Sequence, residues 1–495
     1  MSTSKENSMK TLSLKFHEIR TAVDGRILQE GASDQIYSAF ISDSRKIEKD
    51  CIFLCIAGNK VDGHDFASQA ADSGAALIIG QNETKLRALE NNHPRVGLML
   101  VKDALRATQA LATYYRSKFE IPVIGLTGSS GKTTTKDLIA SIANVSNKDH
   151  TLITEGTLNN HWGVPQMILR LNQSHRAAVL EMGMSDFGEI QSLAAIGQPT
   201  IGYITAIGPA HLEKLGSVEG VLRAKRELFD WINLHQTKGQ LLFNIDDPLL
   251  AKLHSEIKTQ CRLSPLTLSL QSEADFQLLR CSQLDEDGHF GWHYEIKTPN
   301  GTIAGTLPLP RRHNLTNALA AVALTLVSGI AGKNDIKAGL AKPKISSLRS
   351  ELFRSKHGAT IYNDSYNANP TSVGALFDTA HLILENFQGR YDEIIAAVGD
   401  MLELGPTANE LHRDMGRKAA ESGVTTLLAL GHHREHWADG FQNTGRKVEC
   451  RTFQDHESLY RDLQHRLELK PRALVLVKGS RGAKMDLVAS QLKAK

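Results

Sequence analysis

The stretch Gly125-Leu-Thr-Gly-Ser-Ser-Gly-Lys-Thr-Thr-Thr-Lys136 decides the fold of the central part of this 495-residue chain. It follows the strand-like run Ile121 to Ile124 and precedes residues with helical periodicity. Backbone N–H groups exposed by glycines, the helix N-terminus and the Lys132 ammonium converge there on a polyphosphate, and the hydroxyl beside the lysine can reach Mg²⁺. The stretch therefore predicts an ATP-binding loop.

The loop is a variant of the common pattern G-x-x-x-x-G-K-[ST]. Leu126 stands where the first glycine is expected, whereas the Gly131-Lys132-Thr133 core is intact and lies between a strand and a helix. A turn without a ligand is the alternative interpretation, which this context disfavours. We assign to the nucleotide Gly128, Ser129, Ser130, Gly131, Lys132, Thr133 and Thr134.

Length, charge and cysteine content limit the class of protein. A chain of 495 residues exceeds what one core supports, so we expect three domains. The net charge is only +3, without a long run of like charge, which argues against a nucleic-acid partner. The five cysteines lack paired spacing and favour reduced cytoplasm. The N-terminus is polar and the apolar stretch 318–330 is too short to cross a bilayer, so we expect no membrane insertion.

Alternating strand and helix patterns predict an α/β fold throughout. We place a first α/β domain at residues 1–119 and a central phosphate-loop domain with a mainly parallel sheet at 120–342. From 263 to 309 the rhythm changes to strand, turn, strand, with turns at Asp287-Gly288 and Asn300-Gly301, which predicts an antiparallel appendage. A third, Rossmann-like α/β domain follows the linker-like Lys342-Pro343-Lys344, at residues 343–495.

Three further residues of the central region are candidates for chemistry. Glu181 follows the strand-like 177–180, where a parallel sheet delivers side chains to its phosphate end, and a carboxylate is a suitable Mg²⁺ ligand. His211 lies in a second loop after a strand. Lys225 lies on a predicted helix. Each alone has an ordinary alternative: a solvated carboxylate, a structural histidine and an exposed helical lysine.

Several segments together resemble the Mur ligase family of cell-wall peptide synthetases, over nearly the whole chain. They are Gly125 to Thr134, Thr154-Glu-Gly-Thr-Leu-Asn-Asn-His-Trp-Gly-Val-Pro165, Glu181-Met-Gly183, Ile207-Gly-Pro-Ala-His-Leu-Glu213, Ala224-Lys225 and His313-Asn-Leu-Thr-Asn317.

Further segments resemble the family member that adds D-alanyl-D-alanine. They are Ser42-Asp-Ser-Arg45, Asp62-Gly-His-Asp-Phe66, Asp364-Ser-Tyr-Asn-Ala-Asn-Pro370, Gly399-Asp-Met-Leu-Glu-Leu-Gly405 and Lys478-Gly-Ser-Arg481; the Asp-Asn-Pro-Arg motif usual in the preceding ligase is missing. The resemblance implies an ATP-dependent amide ligase of the cytoplasm, monomeric, that joins D-alanyl-D-alanine to UDP-N-acetylmuramoyl-tripeptide through an acyl phosphate and releases ADP and phosphate. It also implies that the third domain closes over ATP to exclude water.

The resemblance also implies roles for individual residues. Lys132 and the loop hold the ATP phosphates, Thr133 and Glu181 hold a first Mg²⁺, and His211 and a carbamylated Lys225 hold a second. Lys132, His211, Lys225 and Asn160 are the expected catalytic residues. The remaining matches are Asn314 and Asn317 near the adenine, Arg349 at a phosphate, Asp364 at the ribose, Ser44 and Arg45 at the uridine diphosphate sugar, and Asn159 and Asn160 at the sugar peptide or the transferring phosphoryl group.

Three positions depart from the family pattern: Thr157, Trp162 and Arg311. None is a proposed metal ligand, although Arg311 is expected to add bulk and charge to the adenine loop. The alternatives that remain are another Mur-type or folylpolyglutamate-type ligase, a nucleotide-driven switch that forms no covalent product, and a silent sugar-nucleotide scaffold.

Overall fold

A computed structural model describes residues 12–32, 34–58, 61–146, 150–259, 261–286, 289–346, 351–386 and 389–493. Within these ranges the strands form one two-stranded sheet and three larger sheets of five, nine and six strands, each covered by helices. The α/β class expected from the alternating patterns is therefore confirmed. The three larger sheets follow one another along the chain.

The first sheet has the order β2-β7-β6-β5-β4 and is parallel except for the β2–β7 pair. A short antiparallel pair, β1 with β3, lies beside it. The elements of this region are β1 (Leu14–Lys15), α1 (Phe16–Ala22), β2 (Gly25–Gln29), β3 (Ile36–Tyr37), β4 (Phe40–Ile41), β5 (Cys51–Leu54), α2 (Ala67–Asp72), β6 (Ala75–Gly80), α3 (Glu83–Arg87), β7 (Gly97–Val101) and α4 (Ala104–Arg116).

The nine-stranded central sheet has the order β16-β15-β14-β13-β12-β11-β8-β10-β9. Its elements are β8 (Val123–Thr127), α5 (Lys132–Ser146), β9 (Thr151–Ile153), α6 (Gly163–Ile168), β10 (Ala177–Glu181), α7 (Glu189–Gly197), β11 (Ile201–Ile204), α8 (Leu212–Leu215), α9 (Val218–His235), β12 (Gln240–Asn244), α10 (Pro248–Ile257), β13 (Leu266–Ser269), β14 (Phe276–Glu286), β15 (His289–Thr298), β16 (Gly301–Leu307), α11 (His313–Ser328) and α12 (Lys333–Ala341).

The antiparallel strands expected after residue 263 are present, but they continue the main sheet. β14 pairs in parallel with β13 and antiparallel with β15, which pairs antiparallel with β16, so hydrogen bonding runs unbroken across the sheet. The Asn300-Gly301 turn joins β15 to β16, with Gly301 at φ 97°, a left-handed conformation that glycine adopts readily. The Asp287-Gly288 turn lies outside the described residues.

The third sheet has the order β17-β18-β22-β19-β20-β21 and is parallel except for β17. Its elements are β17 (Glu351–Arg354), β18 (Thr360–Asn363), α13 (Pro370–Asn386), β19 (Glu393–Val398), α14 (Ala408–Glu421), β20 (Thr426–Leu430), α15 (Arg434–Gln442), β21 (Glu449–Phe453), α16 (His456–Leu469), β22 (Ala473–Lys478) and α17 (Asp486–Leu492).

Packing on the central sheet positions the phosphate loop. β8 is buried along its whole length between β10 and β11, so the loop that follows it starts from a fixed point. α5 packs against α11 and against α12, where Gly339 approaches the Ile142 backbone so closely that a β-carbon would lie 2.5 Å from its Cα. The apolar α11 is a core helix, because most of its residues are buried. No helix in the described ranges combines the length and apolar character needed to cross a bilayer.

Candidate active site

Glycines give the loop between β8 and α5 its shape. Gly128 and Gly131 have φ values of 148° and 84°, which side chains rarely adopt. A β-carbon on Gly128 would lie 1.8 Å from Thr205 Oγ1, and one on Gly131 would lie 2.7 Å from Asn317 Oδ1. The Lys132 ammonium donates a hydrogen bond to the Gly128 carbonyl at 2.5 Å, folding back over the loop. The loop therefore has the curled backbone that cradles a phosphate.

Glu181 ends β10 and lies beside the first turn of α5. Its carboxylate accepts hydrogen bonds from Thr133 Oγ1 at 2.8 Å and from Asn159 Nδ2 at 3.0 Å, although the residue is only 1% exposed. Both donors are neutral, and burying a carboxylate is costly unless a cation or further hydrogen bonds compensate it. A hydroxyl and a carboxylate held together in this way suit Mg²⁺.

His211 and Lys225 approach the same place from two other elements. His211 precedes α8 with φ 51°, and its Nδ1 lies 2.6 Å from Glu403 Oε2. Burial lowers the pKa of His211; nearby Lys225 and Lys132 lower it further, whereas Glu403 opposes them. Lys225 on α9 is 2% exposed, and burial, reinforced by Lys132, holds its pKa well below the ordinary lysine value.

One cavity of about 500 Å³ contains most of the predicted catalytic groups. The expected catalytic and metal-binding residues that line it are Lys132, Asn160, Glu181, His211 and Lys225. Asn159 and Gly128 line it too, and the third domain contributes Tyr366, Leu402, Glu403 and Arg481. The structure thus brings these side chains together from the central and third sheets. Thr133 is linked to the cavity through Glu181.

A second cavity of about 270 Å³ lies against the other side of the phosphate loop. Residues 129–134 line it together with Asn317, and the third domain adds Asp364, Asn369 and Lys478. Ser129 and Lys132 line both cavities, so the phosphate loop forms part of the wall of each. Asn369 Nδ2 donates to the Ser129 carbonyl at 3.3 Å, a direct contact of the third domain with the loop.

Arg311, one of the three departures, has a buried electrostatic partner. Its Nη2 lies 3.1 Å from Asp364 Oδ2, and its guanidinium lies over the Tyr362 ring at 4.8 Å. Asp364 also pairs with the Lys478 ammonium, which donates to the Asn367 carbonyl at 2.9 Å. Burial lowers the Arg311 pKa and Asp364 raises it, with a net rise. The extra charge is therefore paired, across the boundary between the central and third domains, with a carboxylate that Lys478 shares.

The two asparagines expected near the adenine differ in position. Asn317 lines the smaller cavity, and its Oδ1 accepts from Thr135 Oγ1 at 3.3 Å. Asn314 is not among the residues lining that cavity, and its Oδ1 accepts from Asn317 Nδ2 at 3.2 Å. Its own Nδ2 is buried and has no hydrogen-bond partner among the described residues. Asn314 thus orients Asn317, and the asparagines share one network.

The first-domain residues lie apart from both cavities. Ser44 and Arg45 form a 3₁₀ turn capped by Asp43, whose carboxylate also pairs with the Arg45 side chain at 2.9 Å. Neither residue lines the two cavities described above. Downstream, the His64 ring is buried, with Nδ1 2.6 Å from Asp62 and Nε2 accepting from the Gln81 amide at 2.9 Å. Arg349 lies outside the described residues.

Sequence reasoning assigned no individual role to several residues that line the site. Thr205, Glu403, Asn369 and Lys478 are of this kind. For Lys478 a signal existed, because it ends β22 and parallel strands present their carboxyl ends to ligands. Within the described residues no group of three or more histidine, cysteine, aspartate or glutamate side chains is arranged to hold a metal.

The fold and this site define a Mur ligase, and the chain belongs to the Mur ligase family. Family models match in chain order: the Mur ligase family catalytic domain at residues 38–116, the Mur ligase middle domain at 126–325 and the glutamate ligase domain at 348–481. The resemblance stated from the motifs is confirmed.

Among relatives, the chain is similar to the UDP-N-acetylmuramoyl-tripeptide–D-alanyl-D-alanine ligases. It is 32% identical to that of Bacillus subtilis (strain 168), over 96% of this chain and 97% of the relative, and 32% identical to that of Escherichia coli (strain K12), over 97% and 98%. The crystal structure of MurF from Acinetobacter baumannii superposes with a TM-score of 0.82 at 28% identity, covering 97% of this chain and 99% of that one. MurF ligase from Thermotoga maritima in complex with ADP gives 0.74 at 25% identity, covering 92% and 96%.

Proposed function

We propose that this chain is an ATP-dependent ligase that joins D-alanyl-D-alanine to UDP-N-acetylmuramoyl-tripeptide, giving the pentapeptide precursor of peptidoglycan with ADP and phosphate. The names of the relatives and the ADP complex of a structural neighbour support the reaction. One observation of this chain carries the proposal: Lys132, Glu181, His211 and Lys225 line a cavity that shares phosphate-loop residues with a second cavity lined by residues 129–134.

ATP would occupy the smaller cavity with its phosphates on residues 128–134. The curled loop and the N-terminus of α5 direct backbone N–H groups at an anion. Lys132 lines both cavities. Its ammonium could therefore contact the γ-phosphoryl group both while it is on the nucleotide and after its transfer to the acceptor. Asn317 and Asp364 would contact the nucleoside, with Asn314 holding Asn317 in place. Arg349 is proposed as a phosphate contact on the family resemblance alone.

Two Mg²⁺ ions are proposed, the first on Thr133 and Glu181 and the second on His211 and a carbamylated Lys225. The buried carboxylate of Glu181, held beside the Thr133 hydroxyl, fits a cation. Bound magnesium would neutralise phosphate charge during transfer of the phosphoryl group.

Carbamylation of Lys225, which the family resemblance implies, is supported by the surroundings of the side chain. Burial and Lys132 depress its pKa, so near neutral pH more of the amine is uncharged and nucleophilic than in an exposed lysine. The uncharged amine nitrogen attacks the carbon of CO₂: an N–C bond forms, one C=O π bond opens onto oxygen, and the nitrogen releases one proton. The product is a carbamate, so a side chain that is ordinarily a cation becomes a carboxylate-like ligand. That ligand would face the same cavity as His211.

The chain's own residues then explain the two chemical steps. Lys132 offsets repulsion between the tripeptide carboxylate and the triphosphate, so a carboxylate oxygen can attack the γ-phosphorus of ATP. The bond from that phosphorus to the bridging oxygen breaks, which gives the acyl phosphate and releases ADP. The amine of the dipeptide attacks the acyl carbon and phosphate leaves. Asn160 would steady the phosphoryl group: its Oδ1 accepts from the Trp162 and Gly163 amides, which leaves its NH₂ available to the cavity.

The three domains would divide the substrates among them. Residues 1–119 would bind the uridine diphosphate sugar through Ser44 and Arg45, because an arginine fork suits a diphosphate. Residues 120–342 would hold ATP. Residues 343–495 would hold the dipeptide and close over the acyl phosphate, which water would otherwise hydrolyse. A cytoplasmic monomer is the proposed working form.

Product identification tests the function. The protein is incubated with ATP, Mg²⁺ and UDP-N-acetylmuramoyl-tripeptide, and separately with D-alanyl-D-alanine, a free diamino acid or glutamate as acceptor. We expect a pentapeptide mass only with the dipeptide, and stoichiometric ADP. A product with another acceptor would indicate a different ligase, and ATP hydrolysis unaffected by both substrates would favour a nucleotide-driven switch.

A further inference from the structure

The contact between His211 and Glu403 joins two domains at a strained point. His211 belongs to the central domain and Glu403 to the third, and Nδ1 and Oε2 are 2.6 Å apart. Both residues have left-handed backbones, with φ 51° and 62°. Residues other than glycine pay for that conformation and keep it where surrounding structure imposes it, frequently at functional sites. Two such residues in mutual contact therefore indicate a built feature.

The loop that carries Glu403 is fixed on both sides. The Met401 amide donates to His412 Nε2 at 2.9 Å, and the Leu402 amide donates to Ser480 Oγ at 2.9 Å. Upstream, the Asp400 carboxylate accepts from the amides of His432 and His433 at 2.7 and 2.9 Å. The Glu403 side chain is 60% exposed, so its position comes from this anchored backbone rather than from burial.

We propose that Glu403 is a positioning residue that fixes the ring of His211, an inference that depends on the metal role given to His211 in the proposed function. Nδ1 and the Glu403 carboxylate are 2.6 Å apart but are not aligned as a hydrogen bond among the described residues. A small rotation of either side chain would align them, and a carboxylate at that nitrogen favours the tautomer with the proton on Nδ1 and leaves Nε2 able to bind a cation. Metal-binding histidines commonly have such a carboxylate partner. The partner also makes the other ring nitrogen more basic, so that nitrogen is a stronger ligand for a metal ion.

The ligand preference of Mg²⁺ makes the positioning of the His211 ring by Glu403 important. Magnesium prefers oxygen ligands and imidazole is a weak ligand for it, so orientation and basicity of the ring carry more weight than at a zinc site. Because Glu403 comes from the third domain, the carboxylate reaches His211 only when that domain lies against the central one. The contact would thus complete the metal site at the same moment as the domains enclose the substrates.

The test uses Mn²⁺ as the probe on the full chain with ADP. Binding is followed by the EPR signal of free Mn²⁺, and electron spin echo modulation from ¹⁴N reports a directly bound imidazole. We expect ¹⁴N modulation in the wild type and its loss in His211→Ala. Glu403→Gln should weaken the nitrogen-bearing site about 10- to 100-fold, and Glu403→Asp should recover part of the loss.

Two further variants separate the side chain from the backbone. Glu403→Asn removes the long carboxylate but tolerates the left-handed backbone, so it should fold and still lose Mn²⁺ affinity. Glu410→Gln, an exposed glutamate of α14, is the matched control and should behave as wild type. Unchanged Mn²⁺ affinity and ¹⁴N modulation in Glu403→Gln would overturn the inference. Absence of ¹⁴N modulation in the wild type would overturn it too, while pentapeptide formation would separately decide the ligase function.

Discussion

The phosphate end of the central sheet and the first-domain turn at Ser44-Arg45, both proposed here as ligand-binding places, are built in opposite ways. At the sheet, Glu181 and Lys225 are 1% and 2% exposed, and backbone and side chains hold them in place without a ligand. At the turn, the Arg45 side chain is 86% exposed and pairs with its own neighbour Asp43. One site is built by burial from distant parts of the chain; the other is a local surface structure.

The difference has an energetic meaning. Charges held out of water act strongly on a reacting group because little solvent screens them, whereas an exposed arginine must release its partner and its hydration before it binds a diphosphate. The sheet end is therefore suited to catalysis and the turn to recognition. Mutations at the two places should therefore have effects of different size and should change different kinetic constants.

The largest effect is expected at the phosphate loop. Lys132→Ala removes the cation common to both cavities, and we expect kcat to fall on the order of 10³-fold, because a preorganised charge in a buried site is lost. Pentapeptide formation under saturating substrates measures it. Lys214→Ala, a half-exposed lysine of α8, is the control. A comparable loss in Arg45→Ala would erase the contrast between the two regions.

The ion cluster around Asp364 tests whether burial determines how much the loss of a carboxylate lowers the free energy of unfolding. Asp364→Asn leaves two buried cations, Arg311 and Lys478, without their carboxylate. Breaking such a cluster costs about 3–5 kcal/mol in the free energy of unfolding. Denaturant unfolding measures it, with Asp43→Asn at the exposed turn as the control, for which we expect no measurable change. Equal stability of both variants would show that burial is not the cause.

Lys225 sharpens the comparison through chemistry that an exposed lysine lacks. Lys225→Ala should lower kcat on the order of 10²-fold, and short-chain carboxylic acids should restore part of it by replacing the carbamate. Because the Lys225 pKa is depressed, its amine is uncharged above that lowered pKa, and carbamylation should decline as the pH falls through it. Activity against bicarbonate concentration at two pH values measures this. Full activity of Lys225→Ala without added acid would contradict the assignment.

The smallest effect is expected at the turn. Arg45→Ala should raise KM for UDP-N-acetylmuramoyl-tripeptide about tenfold and leave kcat and stability unchanged, because it removes a charge-assisted contact to the diphosphate. Initial rates at varied substrate concentration measure it, and Arg461→Ala on the exposed face of α16 is the control. A fall in kcat with unchanged KM would place Arg45 in catalysis instead.

Local patterns predicted the elements where a single segment contained all the information. The strand-like run 177–180 lies within β10, and the helical periodicity expected after the phosphate loop is α5. The antiparallel strands were also predicted, but their parallel pairing with β13 was not, because pairing depends on where a distant strand lies. β21 was not recognised as a strand, since its exposed, charged residues lack a strand pattern.

At the site, the sequence by itself determined the phosphate loop, the carboxylate at the end of β10 and the family. Local spacing dictates where glycines turn the chain and which residue a strand delivers to the sheet edge. Three further features became visible only in the folded chain: Arg311 pairs with Asp364, Asn314 contacts Asn317 and does not line the cavity, and Glu403 reaches His211. These contacts join residues from 3 to 192 positions apart, and the longer ones form because buried charges and packed domains select partners by position in space.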